Sequence, residues 1–300
     1  MNAPGPAPFG ALATDLRRMH EESFTGSLRV FGPPDTTLHF HHGLVIAVPT
    51  PAAPGPDTLL LRTGTVGADT WATARERALA TGDLGAELLD RGHVSAALLE
   101  LALTRSVLDG VFAMGLTPSN RGGQVLPGAL PPLLRLDEGI DPDQALREAA
   151  RRHTNLTHRW GPPADLARLR PAAEAAPERA PSRAHHDLLL RADGRRTPRD
   201  LAFVLGREVS AVMADLTRLA ERGLIDLAER HHEGALTRRL PESRTTEEKD
   251  RPLVRRTPGA NGMRRAPRAD ATLPTALPAD LAARLQETLR APGDLLEGDG

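Results

Sequence analysis

The sequence predicts an α+β fold, in which an N-terminal helix and a small antiparallel meander pack with further helices and precede a compact group of three helices and a strand. Three observations predict it. Apolar residues recur at helical spacing from Phe9 to Met19, they alternate with a period of two from Leu28 to Val48, and three short helical patterns followed by a strand occupy residues 183–232. Hydrophobic residues make up 40% of the chain and aromatics only 3%, so we expect an aliphatic core.

The first helix and the meander are predicted within residues 9–56, after a disordered start at residues 1–8. Gly32-Pro33-Pro34-Asp35 and His42-Gly43 provide the turns between three strands. The apolar positions of the strands are Leu28, Val30, Leu38, Phe40, Leu44, Ile46 and Val48. We expect their shared face to pack on the first helix.

Residues 57–116 contain an internal repeat, because residues 60–66 match residues 88–94. Each copy predicts a short helix, a glycine stop and an apolar contact into a second helix. Two copies are too few for a solenoid, so we expect helix pairs packed beside the meander. The long helix after Ser95 is expected to turn one apolar face to the core, and that face consists of Leu98, Leu101, Leu108 and Phe112.

The segment 117–170 is predicted to be irregular at first, since residues 117–140 are rich in Gly and Pro, and then helical from Asp143 to Trp160. The composition of residues 171–182 is typical of a linker.

Residues 183–232 have the element order of a winged-helix-like domain: helix, helix, helix, strand. The second helix has good start chemistry, with Thr197 as N-cap, Pro198 at the first helical position and Asp200 at the third. The third helix is expected to run from Glu208 to Arg222.

The remaining sequence predicts a disordered basic tail at residues 233–275 and an amphipathic helix at 276–291. Residues 231–275 hold ten basic and six acidic residues, a net charge of +4. The final helix carries a stripe formed by Leu277, Leu281, Leu285 and Leu289. That stripe is suited to intramolecular docking, to dimerisation or to a partner's groove, and the sequence does not choose among them.

Composition excludes several classes of enzyme. Lys249 is the only lysine, and it lies in the charged stretch Thr245–Pro252, whereas P-loop, protein-kinase and pyridoxal-phosphate sites each need a lysine in an ordered pocket. The preference for arginine is typical of a GC-rich genome, such as that of an actinobacterium. With no cysteine, no Gly-x-Ser-x-Gly and no His-Glu-x-x-His motif, we expect no enzymatic activity and no cofactor.

Location and metal content are predicted from what the sequence lacks. No apolar run approaches the ~20 residues of a membrane span, and the N-terminus lacks the layout of a signal peptide, so we expect a cytoplasmic protein with no membrane partner. His39 and His41 share a strand face near His42, but no third ligand has suitable spacing, and we predict no metal site.

Residues 20–30 and 38–47 contain a helix end, a Thr-Gly-x-Leu strand start and a Phe-x-x-Gly hairpin, with Thr25, Gly26, Phe40 and Gly43 as landmarks. In this pattern the N-terminal residues resemble the PATAN domain of bacterial signalling proteins. The resemblance extends to the C-terminal part, since such proteins often have a segment like residues 189–202 and 216–225. It implies a protein–protein interaction module, sometimes associated with small GTPase and roadblock proteins, and no catalytic residues. We expect the four landmarks to shape the fold.

The winged-helix-like segment leaves two functions open. Residues 183–230 hold nine basic and eight acidic residues, a net charge of +1, and the third helix is expected to expose Glu208, Asp215 and Glu221 beside its arginines. DNA affinity depends largely on phosphate neutralisation, so we expect a signalling adaptor that binds protein. The alternative is a transcriptional regulator that binds DNA with help from the basic tail. Contacts to DNA or to a partner are expected from Arg195, Arg196, Arg199, Arg207, Arg218 and Arg222.

Two structural features discriminate between these functions. A basic, exposed third helix favours DNA, and an uncovered apolar groove on the meander favours a protein partner. The sequence does not indicate the oligomeric state.

Overall fold

The structure is a computed structural model that describes residues 9–117 and 122–227. All of these residues belong to one compact unit, in which helices surround a small antiparallel sheet. The predicted mixed α/β class is therefore confirmed at this level. The segments 1–8, 233–275 and 276–291 lie outside the described residues.

The main sheet contains the predicted meander and one further strand. Its order is β3-β2-β1-β4, and every neighbouring pair is antiparallel. The strands are β1 Gly26–Val30, β2 Thr36–His41, β3 Leu44–Ala47 and β4 Gly123–Pro127. Strand β4 lies in the segment that the sequence predicts to be irregular. The sequence does not indicate this strand, because its side chains are mostly exposed and show no apolar alternation. Its pairing with β1 places Val125 opposite Leu28.

Seven helices of the described residues precede the C-terminal group, and four of them form the two repeat copies, α2 with α3 and α4 with α5. The helices are α1 Gly10–Glu21, α2 Pro56–Arg62, α3 Ala68–Thr81, α4 Leu84–Asp90, α5 Ala96–Met114, α6 Pro142–Arg159 and α7 Pro163–Leu166.

Helix α5 is the centre of the fold, since it packs against α2, α6, β3 and the later helix α10, Val209–Glu221. Gly110 permits the close approach of α5 to the chain at the end of β3, because a Cβ atom at this position would lie 2.8 Å from Cγ1 of Val48. The predicted apolar face is wrong at its N-terminal end. Leu98 and Leu101 are 40% and 44% exposed, whereas Phe112 is fully buried.

A buried histidine joins α1, α5 and α6. The ring of His153 lies 4.6 Å from that of Phe112 and 5.5 Å from that of Phe9. Its Nε2 donates a hydrogen bond of 3.0 Å to the carbonyl oxygen of Phe112. Burial lowers the pKa of His153, so the imidazole is neutral at pH 7 and serves packing.

The C-terminal group contains three α-helices, one short 3-10 helix and a pair of two-residue strands. The elements are β5 Ala172–Ala173, the short 3-10 helix Pro177–Arg179, α8 Arg183–Leu189, α9 Pro198–Leu205, α10 Val209–Glu221 and β6 Ile225–Asp226. Thr197 and Asp200 form the capping box that the start chemistry of α9 indicated. The segment 171–182 has the composition of a linker, and yet it contributes β5 to this group. Composition does not indicate this strand, because its pairing with β6 uses backbone atoms only.

Candidate functional site

The N-terminus of α10 is capped by a side chain from another helix. Asp109 of α5 is 0% exposed. It accepts hydrogen bonds from the backbone N–H of Val209 at 2.7 Å, from that of Ser210 at 3.0 Å and from Ser210 Oγ at 2.7 Å. The N-cap residue of α10, Glu208, makes no capping hydrogen bond with its side chain. Asp109 therefore satisfies donors that the first turn of a helix leaves free.

Arg152 of α6 extends this polar cluster. Its Nη1 donates to Ser210 Oγ at 2.8 Å and to Glu208 Oε1 at 3.2 Å, and it lies 3.9 Å from Asp109 Oδ1. Its Nε donates to Glu148 Oε1 at 2.8 Å. The cluster thus connects α5, α6 and α10 through charged hydrogen bonds.

Two carboxyl groups of the cluster have opposite pKa shifts. Burial, aided by the charge of Glu208, raises the pKa of Asp109 to about 6 against the lowering effect of the hydrogen bonds from Ser210 and Val209. Glu148 accepts hydrogen bonds from Arg151 and Arg152, and these lower its pKa to about 2.

Most of α10 is interior to the protein. Asp215 is 6% exposed, and the side chain of Glu208 is 15% exposed, so the expectation that both acids face solvent is wrong. Each acid is buried together with arginine partners. Asp215 lies 2.5 Å from Arg207 Nη2 and 2.8 Å from Arg218 Nη1. Pairing compensates the cost of taking these carboxylates out of water.

The six arginines predicted to contact DNA or a partner do not share one surface environment. Arg207 and Arg218 pair with Asp215. Arg196 pairs with Asp193 at 2.7 Å, and Arg199 lies 3.7 Å from Asp200. The remaining two, Arg195 and Arg222, are exposed. Four of the six arginines thus have an ion-pair partner among three aspartates of the same group of helices, Asp193, Asp200 and Asp215.

The four landmark residues lie where the first helix meets the sheet. Thr25 Oγ1 accepts a hydrogen bond of 3.0 Å from the backbone N–H of His42. Phe40 is 2% exposed and packs edge-on against Phe24 at 5.9 Å. A Cβ atom at Gly26 would lie 2.5 Å from the carbonyl oxygen of Leu126, and one at Gly43 would lie 2.7 Å from that of His20. These contacts are with the fold itself.

The strand histidines have contacts within the sheet or with each other. His39 Nδ1 and Ser27 Oγ are hydrogen-bonded at 2.9 Å, and burial lowers the pKa of His39. The rings of His41 and His42 stack at a tilt, 4.2 Å apart. Within residues 9–117 and 122–227, no group of three or more histidines and acids is placed to hold a metal ion.

An apolar pocket of about 380 Å³ opens beside β3. Its size is within the range of ligand sites in proteins. Its walls come from β3 and the chain that follows it into the start of α2, and from α3, α5, α9 and the segment before α6. The main apolar side chains are Ile46, Val48, Trp71, Leu103, Val107, Leu134 and Phe203. Thr58 and Ser106 are among its polar residues, and Ser106 Oγ donates a long hydrogen bond to the carbonyl oxygen of Pro54. Ile46 and Ala47 belong to β3, so the meander contributes part of one wall of this pocket.

Sequence reasoning does not find this pocket or the Asp109 cluster. The pocket combines residues from five separate segments, so no local motif marks it. Asp109 gives one signal, since it is an acid within the apolar run Val107–Met114. A carboxylate in such a run indicates a buried polar contact, but the contact is with α10, about a hundred positions later.

Nothing matches this chain among models of protein families, among curated proteins or among solved structures. Among the described helices, none has both the length and the apolar character required to cross a bilayer.

Proposed function

We propose that the protein is a non-enzymatic cytoplasmic adaptor in signalling, which acts by binding another protein through the apolar pocket beside β3. The pocket is the observation that carries this function. The order of α1 and the meander supports a PATAN-like N-terminal module, and the order of α8, α9, α10 and β6 supports a winged-helix-like segment after it.

The pocket has the character of an anchor site for a partner's side chain. Aromatic and aliphatic residues at the centre of an interface supply most of its binding energy, because they exclude water completely. Trp71 and Phe203 are half-buried at this pocket, so part of their apolar surface is still in contact with solvent. A partner that inserts one leucine- or phenylalanine-sized side chain would cover it. The resemblance suggests a small GTPase or a roadblock protein as that partner.

DNA binding is the second candidate. The helix order and the net charge of +4 at residues 231–275 favour it. The position of α10 argues against DNA binding. A recognition helix contacts bases with its N-terminal residues, and here Val209 and Ser210 at that end are buried and bonded to Asp109.

Affinity capture tests the adaptor function. The bait is the full chain in three forms: unchanged, Thr58→Phe and Thr73→Phe. Thr58 lines the pocket, so the new ring fills it, whereas Thr73 lies on the exposed face of α3 and provides the same substitution elsewhere. We expect a protein from source-cell lysate to be retained by the unchanged and Thr73→Phe baits and reduced at least about tenfold on Thr58→Phe, which is the loss expected when a central anchor is blocked. Equal capture by all three baits contradicts the proposal.

Fluorescence anisotropy with duplex DNA from upstream of the gene tests the alternative. An adaptor should bind this duplex no more tightly than the ~10⁻⁶ M limit of non-specific binding at physiological salt. A Kd of ~10⁻⁸ M or tighter with sequence preference would establish DNA recognition instead.

A further inference from the structure

A second cavity, the α4/α5 cleft, lies within the second repeat copy. Its volume is about 390 Å³, and its walls come from the start of α4, from α5 and from residues 135–140 before α6. Leu103 of α5 lines both this cleft and the apolar pocket beside β3, and the other lining residues of the two differ. The cleft is therefore a neighbouring but separate site.

The charges that line the α4/α5 cleft do not balance. Its one cation, Arg135, is already used by the fold. Arg135 Nη2 lies 3.3 Å from Asp83 Oδ2, and Nη1 donates hydrogen bonds to the carbonyl oxygens of Gly82 at 3.0 Å and Pro132 at 3.3 Å. Four acids line the cleft against this one arginine, so a charge of −3 remains. The acids are Asp83, Glu100, Asp137 and Glu138.

Three of these acids are free within residues 9–117 and 122–227. The side chains of Glu100, Asp137 and Glu138 are exposed, and they form no hydrogen bond or ion pair with another described residue. Glu100 comes from α5, and the other two come from the segment before α6. Two walls of the cleft thus present carboxylates that the described part of the protein does not compensate.

The cleft also has an apolar part that solvent reaches. Leu89 and Ile140 are half-buried, and Ala86 and Ala96 are exposed. Covering these side chains would remove apolar surface from water, which favours association.

The occupant that fits this cleft carries positive charge and apolar surface together. A metal ion needs ligands that converge on one point, and no group of three or more histidines and acids in the described ranges is placed to hold one. A nucleic acid would bring its phosphates near the free carboxylates, which repel them. Arginine and lysine combine an aliphatic stem with a cationic end, so the stem can cover the apolar part while the end pairs with a carboxylate.

We propose that the α4/α5 cleft binds a basic segment of a partner protein. Arginine or lysine side chains of that segment pair with Glu100, Asp137 and Glu138, and their stems lie against Leu89 and Ile140. The inference rests on the proposed adaptor function, since it takes the occupant to be a protein, and it adds the charge of the segment that this partner presents.

The test measures the fluorescence anisotropy of a labelled peptide with the full-length protein. The peptide alternates arginine with alanine over about ten residues, an extended reach of ~33 Å. We expect saturable binding that weakens as salt rises from ~50 to ~200 mM, and no saturable binding of a second peptide in which glutamate replaces every arginine. The double variant Glu100→Gln/Glu138→Gln should weaken binding of the arginine peptide at least about fivefold, because each substitution removes one charge pair.

The matched control is Glu21→Gln/Glu22→Gln, which makes the same change at exposed positions at the end of α1. It should leave the Kd within about twofold, because exposed charges outside the cleft are screened by salt. An equal loss in both double variants, or equal binding of the two peptides, overturns the proposal. Denaturation curves establish that each variant is folded.

A third peptide tests the apolar part of the cleft. In it 2,3-diaminopropionate replaces every arginine, which keeps the cationic ends and shortens the stems. It should bind at least about threefold more weakly, because the apolar contact of the stems is lost. Equal binding contradicts the proposal. Displacement of the arginine peptide by magnesium chloride at constant ionic strength, or tighter binding of spermidine than of the peptide, also overturns it, since the occupant would then be a small cation.

The outcome is separable from that of the adaptor function. Thr58→Phe should leave peptide binding unchanged, because Thr58 does not line the α4/α5 cleft. If capture depends on Thr58 but the arginine peptide does not bind, the cleft proposal alone is wrong. If the peptide binds as expected but all three baits capture equally, the role of the apolar pocket is wrong and the cleft proposal stands.

Discussion

Replacing Asp109 with alanine should lower the free energy of unfolding by about 3 kcal/mol at pH 7. The carboxylate satisfies the N–H groups of Val209 and Ser210 and the hydroxyl of Ser210, all at buried positions. Alanine leaves these donors without an acceptor, and a buried unsatisfied donor costs about 1–3 kcal/mol. Urea denaturation followed by circular dichroism measures the change.

Asp141→Ala is the matched control for this prediction. Asp141 also caps a helix, since it accepts a hydrogen bond of 2.9 Å from the backbone N–H of Gln144 in α6. Its side chain is 42% exposed, so water replaces the lost acceptor and the loss should be only about 1 kcal/mol. Equal losses in the two variants would show that Asp109 is an ordinary cap and not a buried junction between helices.

The effect of Asp109→Ala should also depend on pH. The pKa of Asp109 is raised from 3.8 to about 6 in the folded protein, so the folded state holds this proton more tightly than the unfolded chain does. The stability that results is fully present below pH 4 and is lost as the pH rises through 6. The difference in unfolding free energy between the unchanged protein and Asp109→Ala should therefore be larger at pH 5 than at pH 7.5. A difference that grows with rising pH would contradict the raised pKa.

Phe112→Ala should lower the free energy of unfolding by about 4 kcal/mol, within the range typical of a buried phenylalanine replaced by alanine. Phe112 is 0% exposed and stacks against His153 at 4.6 Å. Removing the ring leaves a cavity where α5 meets α6 and removes contacts from the buried imidazole. Thermal and urea denaturation both report the loss.

Leu101→Ala on the same helix is the control for Phe112→Ala. Because Leu101 is 44% exposed, its truncation should change stability by less than about 1 kcal/mol. If Leu101→Ala costs as much as Phe112→Ala, then α5 presents its N-terminal leucines to the core, as the sequence pattern predicts, and the packing described for this helix is wrong.

Local patterns in the sequence are sufficient to predict most helices and the three strands of the meander. The alternation from Leu28 to Val48 predicts β1 to β3, and the start chemistry of Thr197 and Asp200 predicts the cap of α9. These elements follow from periodicity and capping, which involve neighbours in the chain. The mixed α/β class follows from them directly.

Features that depend on distant partners are the ones that the sequence does not predict. Strand β4 has exposed side chains, and its place in the sheet comes from backbone pairing with β1. The buried face of α5 is misjudged because leucines lie on both sides of its N-terminal half. Leu99 and Leu103 are buried there whereas Leu98 and Leu101 are exposed, and apolar periodicity does not distinguish the two sides. Asp215 is expected on the surface because its partners Arg207 and Arg218 cannot be identified before the fold is known.

Native-state hydrogen exchange of α10 tests most directly the claim that this helix belongs to the protein's single core. The amides of Val209 and Ser210 donate to buried Asp109, so they should exchange only through global unfolding. Their exchange free energies should lie within about 1 kcal/mol of that of Val111 in the buried half of α5. Values lower by several kcal/mol would show that the C-terminal helices open independently, and α10 would then be available to DNA.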